Sequence, residues 1–150
     1  MRTLILTVLL LSLASAAELE HCRALVLSGG GDKGSYQAGA LYEIIHHHAD
    51  ETVQWDIITG ISAGSMNGAL LSNYEQGDEI EAAENIVRVW RNIRQETLIK
   101  SWSWGGVVRG LYYETGLYDN APGRDFGKKM ITRPKRAFIY GYVDAETGLY

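Results

Sequence analysis

WDIITGISAGSMNGALL, residues 55–71, joins an apolar run directly to a stretch of small and apolar residues. Trp55 to Thr59 has the length and composition of a buried strand, and Ala63 to about Tyr74 reads as a helix. Between them Gly60-Ile61-Ser62-Ala63-Gly64 fits G-x-S-x-G. A serine on so sharp a strand-to-helix turn points its oxygen out at the carboxyl edge of the sheet. Gly60 and Gly64 remove side chains that would collide there. The start of the following helix favours negative charge developing beside Ser62. Gly64, Gly68 and Ala69 keep that helix close to the strands. The plainer assignment for Ser62 is a cap on the helix.

Working outward, RALVLS (23–28) is another short apolar run ending in glycines, and GGGDKG (29–34) is a tight turn. A helix follows from Ser35 to about His48, with Tyr36, Leu41, Ile44 and Ile45 on one side. Strand, glycine turn, helix, strand, turn, helix is the pattern of a parallel α/β sheet. Both glycine turns then lie at the same sheet edge. One carries a hydroxyl. The other carries three consecutive glycines whose bare N–H groups a ligand oxygen can approach. In an acyl-transfer enzyme such a turn is an oxyanion hole, worth about 3 to 4 kcal/mol per donor.

Downstream, Asp78 opens an amphipathic helix with Glu81 placed for a capping box, and Ile80, Ala83, Val87, Trp90 and Ile93 recur at helical spacing. Residues 101–120 are rich in Gly and aromatics without a period and read as a loop or lid. Arg136 to Val143 alternates as a third strand, and Ala145 to Gly148 is a turn. ETGLY occurs at 114–118 and 146–150, but the flanks do not match, so no repeat is read.

Length and composition narrow the classes. The 150 residues are 46% apolar and 21% charged, enough for one domain with a real core. Fourteen Lys and Arg stand against 18 Asp and Glu, a net charge of −4, which opposes nucleic-acid binding by phosphate neutralisation. Met1 to Ala17 has a basic start, an apolar run and small residues Ala14-Ser15-Ala16, the form of a secretory signal peptide cleaved after Ala16. Residues 1–16 are therefore read as a leader into the secretory pathway, for secretion or for a vacuolar or lysosomal lumen. The single cysteine, Cys22, has no internal partner.

Three other assignments use the same letters. GGGDKG fits the dinucleotide fingerprint G-x-G-x-x-G, but that fold wants an acid at the end of the second strand, where Gly60 to Gly64 stand. A phosphate-binding P-loop needs Gly-Lys-Ser/Thr, whereas Lys33 precedes Gly34. An α/β-hydrolase triad places its histidine after the serine, yet all four histidines precede Ser62. His46, His47 and His48 end a helix about 12 to 14 residues long from the active edge, roughly 20 Å away. The base serving Ser62 is thus a carboxylate, or it lies beyond Tyr150.

The motifs resemble those of the patatin-like phospholipase family of lipid acyl hydrolases. The likeness rests on SGGGDKGSYQAGAL (28–41) and GISAGSMNGALL (60–71), supported by TGLYDNAP (115–122) and RAFIYGYVDAETG (136–148). It implies an α/β three-layer sandwich with a mostly parallel central sheet. Residues 22–150 would hold the nucleophile-bearing part of that domain, truncated on its C-terminal side. It also implies a Ser-Asp dyad without histidine. Ser62 is then the nucleophile, on an elbow formed by Gly60, Ile61, Ala63 and Gly64. Gly29, Gly30, Gly31, Lys33 and Gly34 form the oxyanion turn. The family's Asp lies in an Asp-Gly motif, and no Asp-Gly pair occurs in the 150 residues, so that Asp is expected beyond residue 150, with Asp144 a weaker candidate. The implied reaction, phospholipase A-type ester hydrolysis of a lipid at a membrane surface, needs no metal or cofactor. Trp102, Trp104, Tyr112 and Tyr113 either meet that surface or pack over the core. Arg124, Lys128, Lys129, Arg133, Lys135 and Arg136 either touch anionic headgroups or form a solvated basic face, the plainer reading. The competing class is a catalytically incomplete lipid-binding protein of the same fold.

Overall fold

Three short strands, Ala24–Leu27 (β1), Ile57–Ile61 (β2) and Ala137–Gly141 (β3), form a parallel sheet in the order β1-β2-β3. The computed structural model describes residues 22–48 and 53–141. Among the described residues six α-helices connect and flank the strands: Gly34–His47 (α1), Ala63–Ser72 (α2), Glu79–Asn92 (α3), Gln95–Leu98 (α4), Gly106–Tyr113 (α5) and Ala121–Met130 (α6). The chain is α/β with an open parallel sheet.

Register assigns the faces. Leu25, Ile58 and Phe138 are aligned, as are Leu27, Gly60 and Tyr140. α2 lies across all three strands on this side. A Cβ at Gly68 would stand 2.8 Å from Phe138 and 3.0 Å from Ile58, so the missing side chain is what lets the helix settle on the sheet. Leu27, Ile58, Leu70, Leu71, Ala83 and Ile86 are buried in the core that results, and α3 and α1 stack outward from α2. Val26 and Ile139 point to the opposite face and are 74% and 61% exposed.

Several elements differ from the sequence expectation. β2 begins at Ile57 and continues through Ile61, because Gly60 and Ile61 pair with Tyr140 and Gly141 of β3. On α1 the buried positions are Gly34, Ala38, Leu41 and Ile45, while Tyr36 and Ile44 are exposed. The side chain of Asp78 makes no capping hydrogen bond, although its carbonyl accepts the first helical bond from Ala82 N–H at 3.0 Å. Ile80 is exposed, and Ala82, Ala83, Ile86 and Val89 face the core. Residues 106–113, expected within a loop, are helical. Val143, Asp144 and the turn at 145–148 lie outside the described residues.

Arg136 also departs from its reading as a solvated residue. Its guanidinium pairs with Glu79 at 2.7 Å, both side chains being 4% exposed, and donates to the carbonyls of Trp55, Tyr74 and Glu75. The other carboxylate oxygen of Glu79 accepts from Gly77 N–H. A buried pair is tolerable when further hydrogen bonds hold both charges: each guanidinium nitrogen and each carboxylate oxygen has a partner here. It ties the foot of β3 to the approach of β2 and to the turn before α3. Beside it, Asp56 accepts from Arg23 N–H and from the Gln76 amide, which holds its carboxyl below the usual range.

Candidate active site

Ser62 stands between the last residue of β2 and the first of α2, with φ 53° and ψ −121°. Among the described residues it is the sole non-glycine residue with positive φ. Such a conformation costs about 1 to 3 kcal/mol and persists only where surrounding structure imposes it. Here the imposing contacts are explicit. A Cβ at Gly60 would fall 2.4 Å from the Gly64 carbonyl oxygen, and one at Gly64 would fall 2.3 Å from the carbonyl oxygen of Leu27. The chain therefore folds back on itself across the end of β1. The Ser65 hydroxyl donates to the Gly60 carbonyl at 2.8 Å, and the Ser62 carbonyl accepts from Ser65 and Met66 N–H. The Ser62 side chain makes no capping hydrogen bond and the residue is exposed, so the cap assignment fails.

The second glycine turn lies against the first. A Cβ at Gly29 would be 3.2 Å from the Ser62 Cβ, and one at Gly34 would be 2.8 Å from the Ala63 Cβ. Gly31 has φ 58° and opens a single turn of 3₁₀ helix over Gly31–Lys33, closed by Lys33 N–H to the Gly30 carbonyl at 3.1 Å. Among the described residues, the N–H groups of Gly29, Gly30 and Gly31 donate to no protein acceptor. Amides without a protein acceptor close to an exposed serine on a strained backbone are groups an acyl carbonyl would require.

A family model of patatin-like phospholipases matches residues 25–146. The chain belongs to the patatin-like phospholipase family. No curated protein and no solved structure matches it.

The structure thus brings Gly29 beside Ile61 and Ser62 and Gly34 beside Ala63, while Gly30 and Gly31 lie in the open middle of their turn. Lys33 is exposed, at the entry to α1. The described histidines lie elsewhere: His46 and His47 are in the last turn of α1, with His46 stacked on Tyr42 and 3.9 Å from Glu84. Among the described residues no group of three His, Cys, Asp or Glu side chains could hold a metal ion.

Sequence reasoning passed over the residues that fasten this patatin-like corner from below. Asn67 is fully buried. Its amide donates to the Gly34 carbonyl at 3.0 Å and to Gln37 Oε1 at 2.8 Å, while its oxygen accepts from the Trp90 indole N–H at 2.7 Å. The signal was a lone amide in a run of small and apolar residues, since such a side chain is buried only where its hydrogen bonds are met.

Three of the four aromatics expected here do not pack over the core. Trp104, Tyr112 and Tyr113 are 72%, 73% and 78% exposed, and Val108 and Leu111 of α5 are exposed beside them. Trp102 is partly buried; its indole N–H donates to the Gly116 carbonyl, and the Arg109 guanidinium lies over its ring. No helix among the described residues is long and apolar enough to cross a membrane.

Proposed function

We propose that the chain is a lipid acyl hydrolase of the phospholipase A type in which Ser62 is the nucleophile. The observation that carries this reading is the strained backbone of Ser62 with Gly29 against its Cβ. An Asp, expected beyond residue 150, takes the Ser62 proton as Oγ attacks the ester carbonyl. The carbonyl oxygen becomes an oxyanion held by the N–H groups of Gly30 and Gly31, while Lys33 and Gly34 complete the turn. Collapse of the tetrahedral intermediate expels the alcohol or lysolipid, and water then releases the fatty acid from the acyl-serine. No step calls on a metal or an organic cofactor. Supporting a membrane-surface substrate, Trp104, Tyr112 and Tyr113 stand exposed on and beside one short helix, the residue types that settle at lipid headgroup depth. The leader read in residues 1–16 supports a reaction in the secretory pathway.

The test is a fluorophosphonate probe together with ester hydrolysis, on the full-length wild type and Ser62→Ala. The wild type should be labelled at Ser62 and turn over. The variant should lose labelling and at least about 10³-fold in turnover with its melting temperature kept. Hydrolysis retained by Ser62→Ala overturns the assignment. Lipid binding without labelling of the wild type favours the non-catalytic binding protein.

A further inference from the structure

We infer that Asn67 is a positioning residue that sets the oxyanion turn at its working distance from Ser62, an inference that rests on the hydrolase reading above. Asn67 lies five residues after Ser62, on the helix that Ser62 opens. Both hydrogens of its amide and its oxygen are engaged, and the side chain is fully buried. The three partners come from outside that helix. Gly34 is the far post of the glycine turn, Gln37 is one turn further along α1, and Trp90 is on α3. The Gln37 amide in turn donates to the carbonyl of Ser28, the near post of the same turn, at 3.3 Å. Both ends of the segment from Ser28 to Gly34 are therefore tied to the nucleophile helix through one chain of side-chain amides.

Packing fixes the same distance. A Cβ on Gly34 would stand 2.5 Å from Cζ2 of Trp90 and 2.8 Å from the Ala63 Cβ, so Gly34 is held between the indole ring and the residue next to Ser62. The indole N–H meets Asn67, which orients the ring that makes this contact. Trp90 is only partly buried and could turn its N–H to water. A buried Asn67 partner is what keeps the ring in place. The glycine turn itself has few contacts of its own: nothing lies within 4 Å of a Cβ at Gly31, and a Cβ at Gly30 meets only Lys33 at 3.4 Å. A turn so loosely contacted takes its position from its two posts. An amide donor must lie within hydrogen-bond distance of the oxyanion, and misplacement by about 1 Å costs about 100-fold in rate.

Full-length wild type, Asn67→Asp and Gln37→Met separate this role from simple stability. Asn67→Asp keeps the shape and the acceptor for Trp90 but loses both donors. Gln37→Met removes the Ser28 and Asn67 links at a partly exposed position. Each is assayed for kcat and KM on a soluble ester and on its thionoester, in which sulfur replaces the carbonyl oxygen, with melting temperature read alongside. A displaced oxyanion hole lowers kcat for the oxygen ester by about 10- to 100-fold with little change in KM, and it shrinks the oxygen-to-sulfur rate ratio. Labelling of Ser62 by fluorophosphonate should slow in parallel. Folded variants that keep kcat and the ratio overturn the inference while leaving the hydrolase reading intact. Should Asn67→Asp not fold, Gln37→Met alone decides between those results. A wild type that is neither labelled nor active overturns the hydrolase reading, and the inference falls with it.

Discussion

The two glycine turns at the carboxyl edge of the sheet use the same residue for opposite reasons. In the turn from Gly60 to Gly64, glycine is dictated by contact, because side chains there would enter the backbone of Gly64 and Leu27 at 2.3 to 2.4 Å. In the turn from Gly29 to Gly34, the middle is open, and nothing stands within 4 Å of a Cβ at Gly31. Glycine there supplies φ 58° and bare amides. The tight turn forces the backbone of one residue, Ser62, into a conformation it would not choose. The open turn leaves room for something that is not protein. A hydroxyl is held by crowding, and space for a ligand is kept by its absence.

The comparison is sharpest where a methyl group is added. Gly64→Ala should give the largest loss, about 3 kcal/mol or more, since the obstacle is strand backbone that cannot step aside. A urea midpoint that falls by less than about 1 kcal/mol equivalent would show that the end of β1 yields. Ser62→Gly should stabilise the chain by about 1 to 2 kcal/mol by releasing the positive φ, while abolishing fluorophosphonate labelling. A variant no more stable than wild type would mean that the strain is not stored there. Gly31→Ala should cost about 1 kcal/mol, because only the backbone conformation objects, yet slow acylation by more than that loss of stability implies. Equal effects on folding and rate would erase the contrast between the turns. Lys33→Ala should move stability by less than about 0.5 kcal/mol, as the side chain is exposed and makes no ion pair among the described residues. Any fall in kcat would then report on the open turn alone.

The corner was legible because its signals are local. A strand's apolar run, a glycine cluster and a helix within 17 residues state the elbow outright, and the same grammar over residues 23–48 states its neighbour. α5 was illegible for a local reason as well. It is only eight residues long, and Gly105, Gly106 and Gly110 give its sequence the look of a loop. Tyr36 and Ile44 misled in the other direction, since apolar character does not say which side of α1 meets α3. The buried face is set by Gly34, whose lack of a side chain admits Trp90.

By itself the sequence determined the three strands and the first three long helices, the placing of two glycine turns at one edge and the identity of the exposed serine on one of them. These follow from steric rules that act over a few neighbouring residues. Only the tertiary structure decided that Arg136 and Glu79, 57 positions apart, would share a buried ion pair, and that Asn67 would join Gly34, Gln37 and Trp90. A buried polar side chain carries no mark of its partner in sequence. The partner is fixed by which groups the packed strands and helices leave within 3 Å of one another and out of reach of water.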